Sequence, residues 1–240
     1  MPRPLPFGAW PSPLAAEDAA RAAVGRDFPR RAGDCLYWQE SRPAEEGRTT
    51  VVERQPDGTL RDLLPPGVAT RSRVHEYGGL SWLVAGDNLY YVEQSEQRLW
   101  RRPLAGGAPR PLTPAGSEWR FADLEWDPAR RRILAVAERH RCEGAAPENC
   151  LVAVAIGGGE VAVLVAGADF YAYPRLSPDG RRLAFLRWNH PQMPWDGCEL
   201  VLAALDDQGR VAGEVRVAGG AERVDLPAGL APRRDPRLRL

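Results

Sequence analysis

A histidine, a glutamate and a tyrosine stand side by side in "TRSRVHEYGG" (Thr70–Gly79). An imidazole beside a carboxylate can move a proton or hold an amino group. Arg73 adds a fixed charge, Tyr77 adds an aromatic body with a polar tip, and Gly78 and Gly79 admit backbone geometry closed to other residues. Two readings stand: Glu76 meets the amino terminus of a substrate, or it pairs locally with Arg73 and orders the chain entering the next element. A second set lies in "RWNHPQMPWDG" (Arg187–Gly197), where His190 and Trp195 accompany Trp188 and Met193. Such an aromatic loop either binds a ligand or covers a neighbouring element. His140, between Arg139 and Arg141, reads as a solvated residue. No G-x-S-x-G pentapeptide exists; "AGSEW" (Ala115–Trp119) lacks the flanking glycine pattern, so no catalytic nucleophile is assigned. Cys35, Cys142, Cys150 and Cys198 form no C-x-x-C pair, and single aspartates at turns are explained by Asx-turn chemistry. Neither a metal site nor a cofactor is expected.

The elements that must carry these residues are strands. "CLYWQE", "TVVER", "NLYYVEQ", "RLWRRPL", "RILAVAER", "LVAVAI", "VAVLVAG", "RLAFLRW", "ELVLAAL" and "GEVRVAG" are strand-sized and rich in β-branched or aromatic residues. They belong to a repeat: "GLSWLVAGDNLYYVEQ", "DLEWDPARRRILAVAER" and "RLSPDGRRLAFLRW" each show an apolar lead-in, a tight turn and a strong strand. The turns hold Gly86-Asp87-Asn88, Asp127-Pro128 and Pro178-Asp179-Gly180, residues that pre-set or tolerate turn backbones. Leu36, Leu89, Leu134 and Leu183 mark successive units. Four antiparallel strands per unit of about 45 residues is β-propeller arithmetic, and a β-sandwich would not need this long-period similarity. The expected fold is all-β: a partial propeller of about four blades, the first irregular, which leaves one blade face bare and apolar. "SPLAAEDAARAAVG", with Ser12 as cap and Pro13 in the first turn, reads as a short N-terminal helix. The expected organisation is an N-terminal extension over 1–30, the propeller over 31–222 and a tail over 223–240. Arg130-Arg131-Arg132 falls in a hairpin turn and reads as a solvated edge.

The 240 residues carry 32 basic and 32 acidic side chains, all the basic ones arginine, for a formal charge of zero. That balance argues against a nucleic-acid partner, which needs a basic surface. No run of about 18 apolar residues exists to cross a membrane, and the N-terminus lacks a signal-peptide pattern. A cytoplasmic location is the expectation.

Three stretches carry a family resemblance: "TRSRVHEYGG", "ADFYAYPRLSPDGRRLAFLRWNHPQMPWDGCEL" (Ala168–Leu200) and "FGAWPSPLAAEDAA". Together they resemble the N-terminal propeller of bacterial prolyl oligopeptidase family serine peptidases, in the branch of dipeptidyl aminopeptidases and acylaminoacyl peptidases. The resemblance runs from Phe7 to Gly220; "SPDG" alone is shared by many TolB-like propellers. It implies a following α/β-hydrolase domain with a Ser-Asp-His triad, so the chemistry lies outside these residues and the propeller gates access for peptides. It places the loop of Arg73, His75, Glu76 and Tyr77 near the channel mouth facing the hydrolase. Peptide is then a partner only in the full-length enzyme. A stand-alone TolB-like propeller serving as a protein-binding scaffold is the alternative.

The resemblance calls for another strand repeat after "VAGG", where "RVDLPAGLAPRRDPRLRL" (Arg223–Leu240) stands instead. Synonymous codons for Glu222–Leu240 can be chosen so that the plus-one frame encodes "SGSIFQPAWRPDGTLAFVS", a complete repeat. The tail is therefore expected to be a frameshifted, non-native end. Sequencing the coding DNA beyond Gly220 checks this: the plus-one frame should run on into propeller and then hydrolase sequence, and an early stop there would sink the idea.

Overall fold

Each turn read from the sequence reverses the chain between two strands. Gly86 takes a left-handed backbone between β5 (Trp82–Ala85) and β6 (Asn88–Val92). Arg131 does so between β9 (Trp119–Asp127) and β10 (Arg132–Arg139), and Gly180 between β13 (Phe170–Leu176) and β14 (Arg182–Trp188). In the last turn Asp179 accepts hydrogen bonds from the Ser177 hydroxyl and the Arg181 amide, the expected Asx chemistry.

The computed structural model describes residues 23–116, 118–141 and 144–220, with Pro13 and Ala15. The expected helix lies outside the described residues except at Pro13, Ala15 and Ala23–Gly25, and the tail 223–240 lies wholly outside them. Four antiparallel four-stranded sheets account for the strands, each in plain chain order. The first holds β1 (Gly25–Ala32), β2 (Cys35–Arg42), β3 (Arg48–Arg54) and β4 (Leu60–Asp62). The second adds β7 (Leu99–Pro103) and β8 (Arg110–Pro111) to β5 and β6. The third adds β11 (Glu148–Ala155) and β12 (Val161–Ala166) to β9 and β10, and the fourth adds β15 (Glu199–Leu205) and β16 (Val211–Gly219) to β13 and β14. The architecture is the expected partial propeller of four blades. β1 starts at Gly25, within the stretch read as an extension. No helix among the described residues is long and apolar enough to cross a membrane.

The chain divides into two units, Met1–Ala69 and Thr70–Leu240. The first unit holds one sheet. Its hairpins are tied by ion pairs: Arg42 binds Asp62 through two nitrogens at 2.6 and 2.7 Å, and Arg48 joins the same carboxylate at 3.0 Å. The buried Glu53 accepts from Tyr37 at 2.9 Å and pairs with Arg61 at 2.6 Å.

The second unit holds three sheets, and its core follows from strand alternation. On the third sheet Ile133, Ala135, Ala137, Cys150, Val152 and Val154 face Tyr90, Val92 and Leu99 of the second. The intervening residues Leu134, Val136, Leu151 and Ala153 face Leu183, Phe185, Val201 and Ala203 of the fourth. A sheet covered on both faces needs continuous apolar runs, which is why "RILAVA" and "CLVAVA" do not alternate. The other face of the fourth sheet carries Ala184, Leu186, Leu200, Leu202 and Val215, with Val215 66% exposed. Of the first strands, β9 neighbours both β5 and β13.

One expectation is corrected. Arg130 and Arg132 are mostly buried rather than a solvated edge. Both grip the fully buried Asp127, at 3.1 and 2.8 Å. Their remaining N–H groups cross to the fourth sheet: Arg130 donates to the carbonyls of Gly180 and Asp206 at 3.0 and 2.9 Å, and Arg132 to that of Gly209 at 2.8 Å. Two forked guanidiniums on one carboxylate thus clamp two blades. Asp127→Ala leaves both charges without their buried partner, and the chain is expected to lose about 3 kcal/mol of unfolding free energy by urea titration. Asp57→Ala, in an exposed turn, serves as the control and should leave the urea midpoint nearly unchanged.

Candidate functional site

The loop from Thr70 to Gly79 is held down along its length. The buried Thr70 hydroxyl bonds the Ser81 hydroxyl at 2.9 Å and the Val92 carbonyl at 3.0 Å. Gln97, in the β6–β7 turn, accepts from the Arg73 amide at 2.8 Å and donates to the Arg71 carbonyl at 2.9 Å. Further on, the His75 amide donates to Glu138 at 2.6 Å, and the His75 ring meets Asn149 at 3.1 Å. Glu138 and Asn149 are register partners at the adjoining ends of β10 and β11, so one ladder position supplies both anchors.

These anchors hold a strained backbone. His75 and Glu76 have φ of 53° and 64°, two consecutive left-handed residues without a glycine. Gly78 completes the turn at φ 86°, where an added Cβ would come within 2.6 Å of the Ser72 carbonyl oxygen. The conformation lifts Tyr77 into the open, 74% exposed, with its hydroxyl 3.3 Å from His75 Nδ1. His75 Nε2–H donates to Asn149 Oδ1, which leaves Nδ1 to accept from Tyr77. Burial lowers the His75 pKa, against the opposing pull of Glu138, the Asn149 hydrogen bond and Asp123. The Tyr77 pKa is raised by partial desolvation of its hydroxyl beside the His75 ring and by the charges of Glu138 and Asp123. Both rings are therefore neutral at pH 7.

An aromatic wall continues the site. Phe170 stacks on Trp188 with centroids 5.3 Å apart, and His75 and His190 meet Phe170 edge-on at 5.2 and 4.9 Å. The His190 amide donates to Asp169 at 2.8 Å, and the Asp169 amide to Asn189 at 2.7 Å, joining two loops. A cavity of about 410 Å³ opens there, lined among others by Glu138, Glu148, Asn149, Asp169, Phe170 and His190. Asp123, on β9 at φ 51°, ties that strand to β13 and to the segment entering β5: its carboxylate accepts from the Leu80 and Tyr173 amides, each at 3.3 Å. Tyr173, also left-handed at φ 52°, is exposed. The assembly offers hydrogen-bond acceptors and ring faces. It suits the binding of donor groups rather than covalent chemistry. Among the described residues no group of three His, Cys, Asp or Glu side chains could hold a metal ion.

Solved structures match this fold and sequence. A puromycin-hydrolysing peptidase of Mycobacterium tuberculosis is 40% identical over 90% of this chain, with a TM-score of 0.81. A puromycin hydrolase is 35% identical over 91%, again with a TM-score of 0.81. The chain belongs with the N-terminal propeller of prolyl oligopeptidase family peptidases. It spans 36% of the length of both relatives. TolB from Acinetobacter baumannii shares the fold at 13% identity and a TM-score of 0.51. No family model and no curated protein sequence matches.

On this propeller, His75, Tyr77 and His190 come together around Phe170. Arg73 and Glu76 sit on the same loop with exposed side chains. They form no ion pair with each other among the described residues, which removes the local-pair reading; their link is the Glu76 amide on the Arg73 carbonyl at 3.0 Å. Trp195 stands apart, 75% exposed in the β14–β15 loop, while Trp188 is buried against Phe170. His140 bonds Glu138 at 3.0 Å instead of standing free in solvent. The residues missed were Asp123, Glu138, Asn149, Asp169 and Phe170. A signal existed for two of them: Asp123 interrupts "RFADLEW" and Glu138 ends the apolar run "LAVAE".

Because the folded pKa of His75 is depressed, its contribution to stability is complete above the unfolded value near 6.5. It is lost as pH falls, since the unfolded chain then binds a proton the folded chain refuses. His75→Gln is expected to flatten the decline in unfolding free energy between about pH 6.5 and pH 5. Equal slopes for the two proteins by chemical denaturation would contradict this.

Proposed function

We propose that this chain is the substrate-gating propeller of a peptidase that acts on short peptides or aminoacyl amides, with the catalytic groups on a hydrolase domain. The observation that carries the proposal is the 35–40% identity to puromycin-hydrolysing peptidases over nine-tenths of this chain. It favours the peptidase over a TolB-like scaffold, for which the likeness is 13%. The loop of Arg73, His75, Glu76 and Tyr77, with Tyr173 and the cavity beside Phe170, forms the surface that meets peptide, and the exposed Glu76 is the group for a substrate amino terminus. His190 belongs to the same surface; Trp195 extends it as an exposed aromatic. A cytoplasmic setting agrees with Cys35, Cys150 and Cys198 as free thiols. The reading involves no nucleic acid, membrane or cofactor.

A chimaera tests it. Residues 25–220 replace the matching propeller residues of the Mycobacterium peptidase, and puromycin hydrolysis is followed. Turnover within about tenfold of the parent is expected, because the sheets that frame the gate are shared. The chain by itself should neither hydrolyse puromycin nor take up a serine-directed fluorophosphonate. A folded chimaera without turnover, or a labelled isolated chain, would reject the assignment.

A further inference from the structure

The outermost strand of the fourth sheet differs from those of the other sheets. β4, β8 and β12 run for three, two and six residues, and β8 ends on Pro111; such short edges resist pairing with another chain. β16 runs for nine residues, contains no proline and is exposed from Ala212 to Val217. Among the described residues its one sheet neighbour is β15, so its outer N–H and C=O groups form an open template. A further blade would stack on the face of this sheet and leave the edge open. The register with β15 skips Ala212 and Val217, two bulges that leave Gly213–Arg216 as a straight run between them. Glu214 and Arg216 point to the face of Val201 and Ala203, and Val215 to the opposite face with Leu202. Arg187 donates to Glu199 and to Glu214 at 2.9 Å each, and one nitrogen of Arg216 reaches Glu199 at 3.4 Å. The other Glu214 oxygen and the rest of the Arg216 guanidinium have no partner among the described residues.

We propose that two copies of this chain associate through β16, paired antiparallel about a two-fold axis at Val215, so that two four-stranded sheets merge into one. The run is complementary to itself only in that register. Val215 lies opposite Val215 of the second copy, and each Glu214 lies opposite an Arg216, one ion pair on either side of the axis. A slip of two residues sets Glu214 against Glu214 in one direction and Arg216 against Arg216 in the other, and a slip of one sends the charges to opposite faces. The new pairs extend the row that Arg187, Glu199, Glu214 and Arg216 already form on this face, with the signs alternating across the junction. The contact is narrow, which places the dimer in the weak, reversible class. The inference does not depend on the gating role proposed above.

Sedimentation velocity of the full chain between about 5 and 500 μM should show a reversible monomer–dimer equilibrium, weakened by added salt. Glu214→Arg sets arginine against arginine at both crossings, and Arg216→Glu sets glutamate against glutamate; each variant should dimerise about tenfold more weakly. An equimolar mixture of the two variants restores opposite charges at both crossings and should recover the parent's association. Mixing cannot mend a defect within one copy, because each chain keeps its reversed charge beside Arg187 or Glu199. A chain that stays monomeric over this range, single variants that dimerise as the parent does, or weakened variants that mixing leaves weak would each overturn the proposal. Larger aggregates that neither substitution changes would place association on the bare apolar face instead, and also count against it. If a reversed variant melts early, Arg216→Gln, which gives up a solvated contact at 3.4 Å, is read in its place: association should weaken about threefold, and no loss rejects the pairing.

Discussion

Burial of the third sheet on both faces is the constraint from which the second unit is built. β10 and β11 present alternate residues to two neighbours, so neither face has room for a polar side chain between Ile133 and Ala137. Polar groups are pushed to the strand ends. Glu138 and Asn149 sit there as register partners, one residue beyond the apolar runs. The Thr70–Gly79 loop then finds an acceptor for its His75 amide and one for its ring at the same ladder position. The opposite end of the sheet obeys the same rule: Asp127 and its two arginines occupy the turn, where guanidinium N–H groups can reach carbonyls of the next blade. The middle of the sheet is held by apolar contact and its ends by charge-assisted hydrogen bonds.

The first strands solve a different problem. β9 lies beside both β5 and β13, where backbone groups away from their own ladders would otherwise go unpaired. Bulges answer it. The ladders are interrupted between Leu134 and Val136 against β9, and between Ala172 and Arg175 on β13, and the left-handed residues Asp123 and Tyr173 fall within those interruptions. At each bulge an amide is released from its own ladder. Asp123 collects the Tyr173 amide from one neighbour and the Leu80 amide from the other. A short acid serves here because it tolerates the left-handed backbone and accepts on both oxygens.

Strands whose role is burial were legible in the sequence. β10, β11, β14 and β15 announce themselves by apolar runs between turn residues, and the hairpin turns by Gly, Pro and Asp. The first strands read only as lead-ins, because a bulge breaks the period of two that identifies a strand. The arginines at 130 and 132 were misjudged for another reason. Sequence shows that a residue is charged and lies in a turn, but the carbonyls of Gly180, Asp206 and Gly209 arrive from about 50 to 80 positions away. The site divides along the same line. His75, Tyr77 and His190 draw attention by residue type, while Asn149 and Asp169 are ordinary polar residues until the fold sets them around one cavity.

Strain and satisfaction are arranged asymmetrically in that cavity. The left-handed pair His75–Glu76 costs free energy that the loop offsets with bonds from Gln97, Glu138 and Asn149, so the His75 ring is fixed in place and in tautomer. The zero formal charge of the whole chain conceals the local sign: arginines are drawn to carbonyls and carboxylates between blades, and acceptors gather where the loops meet.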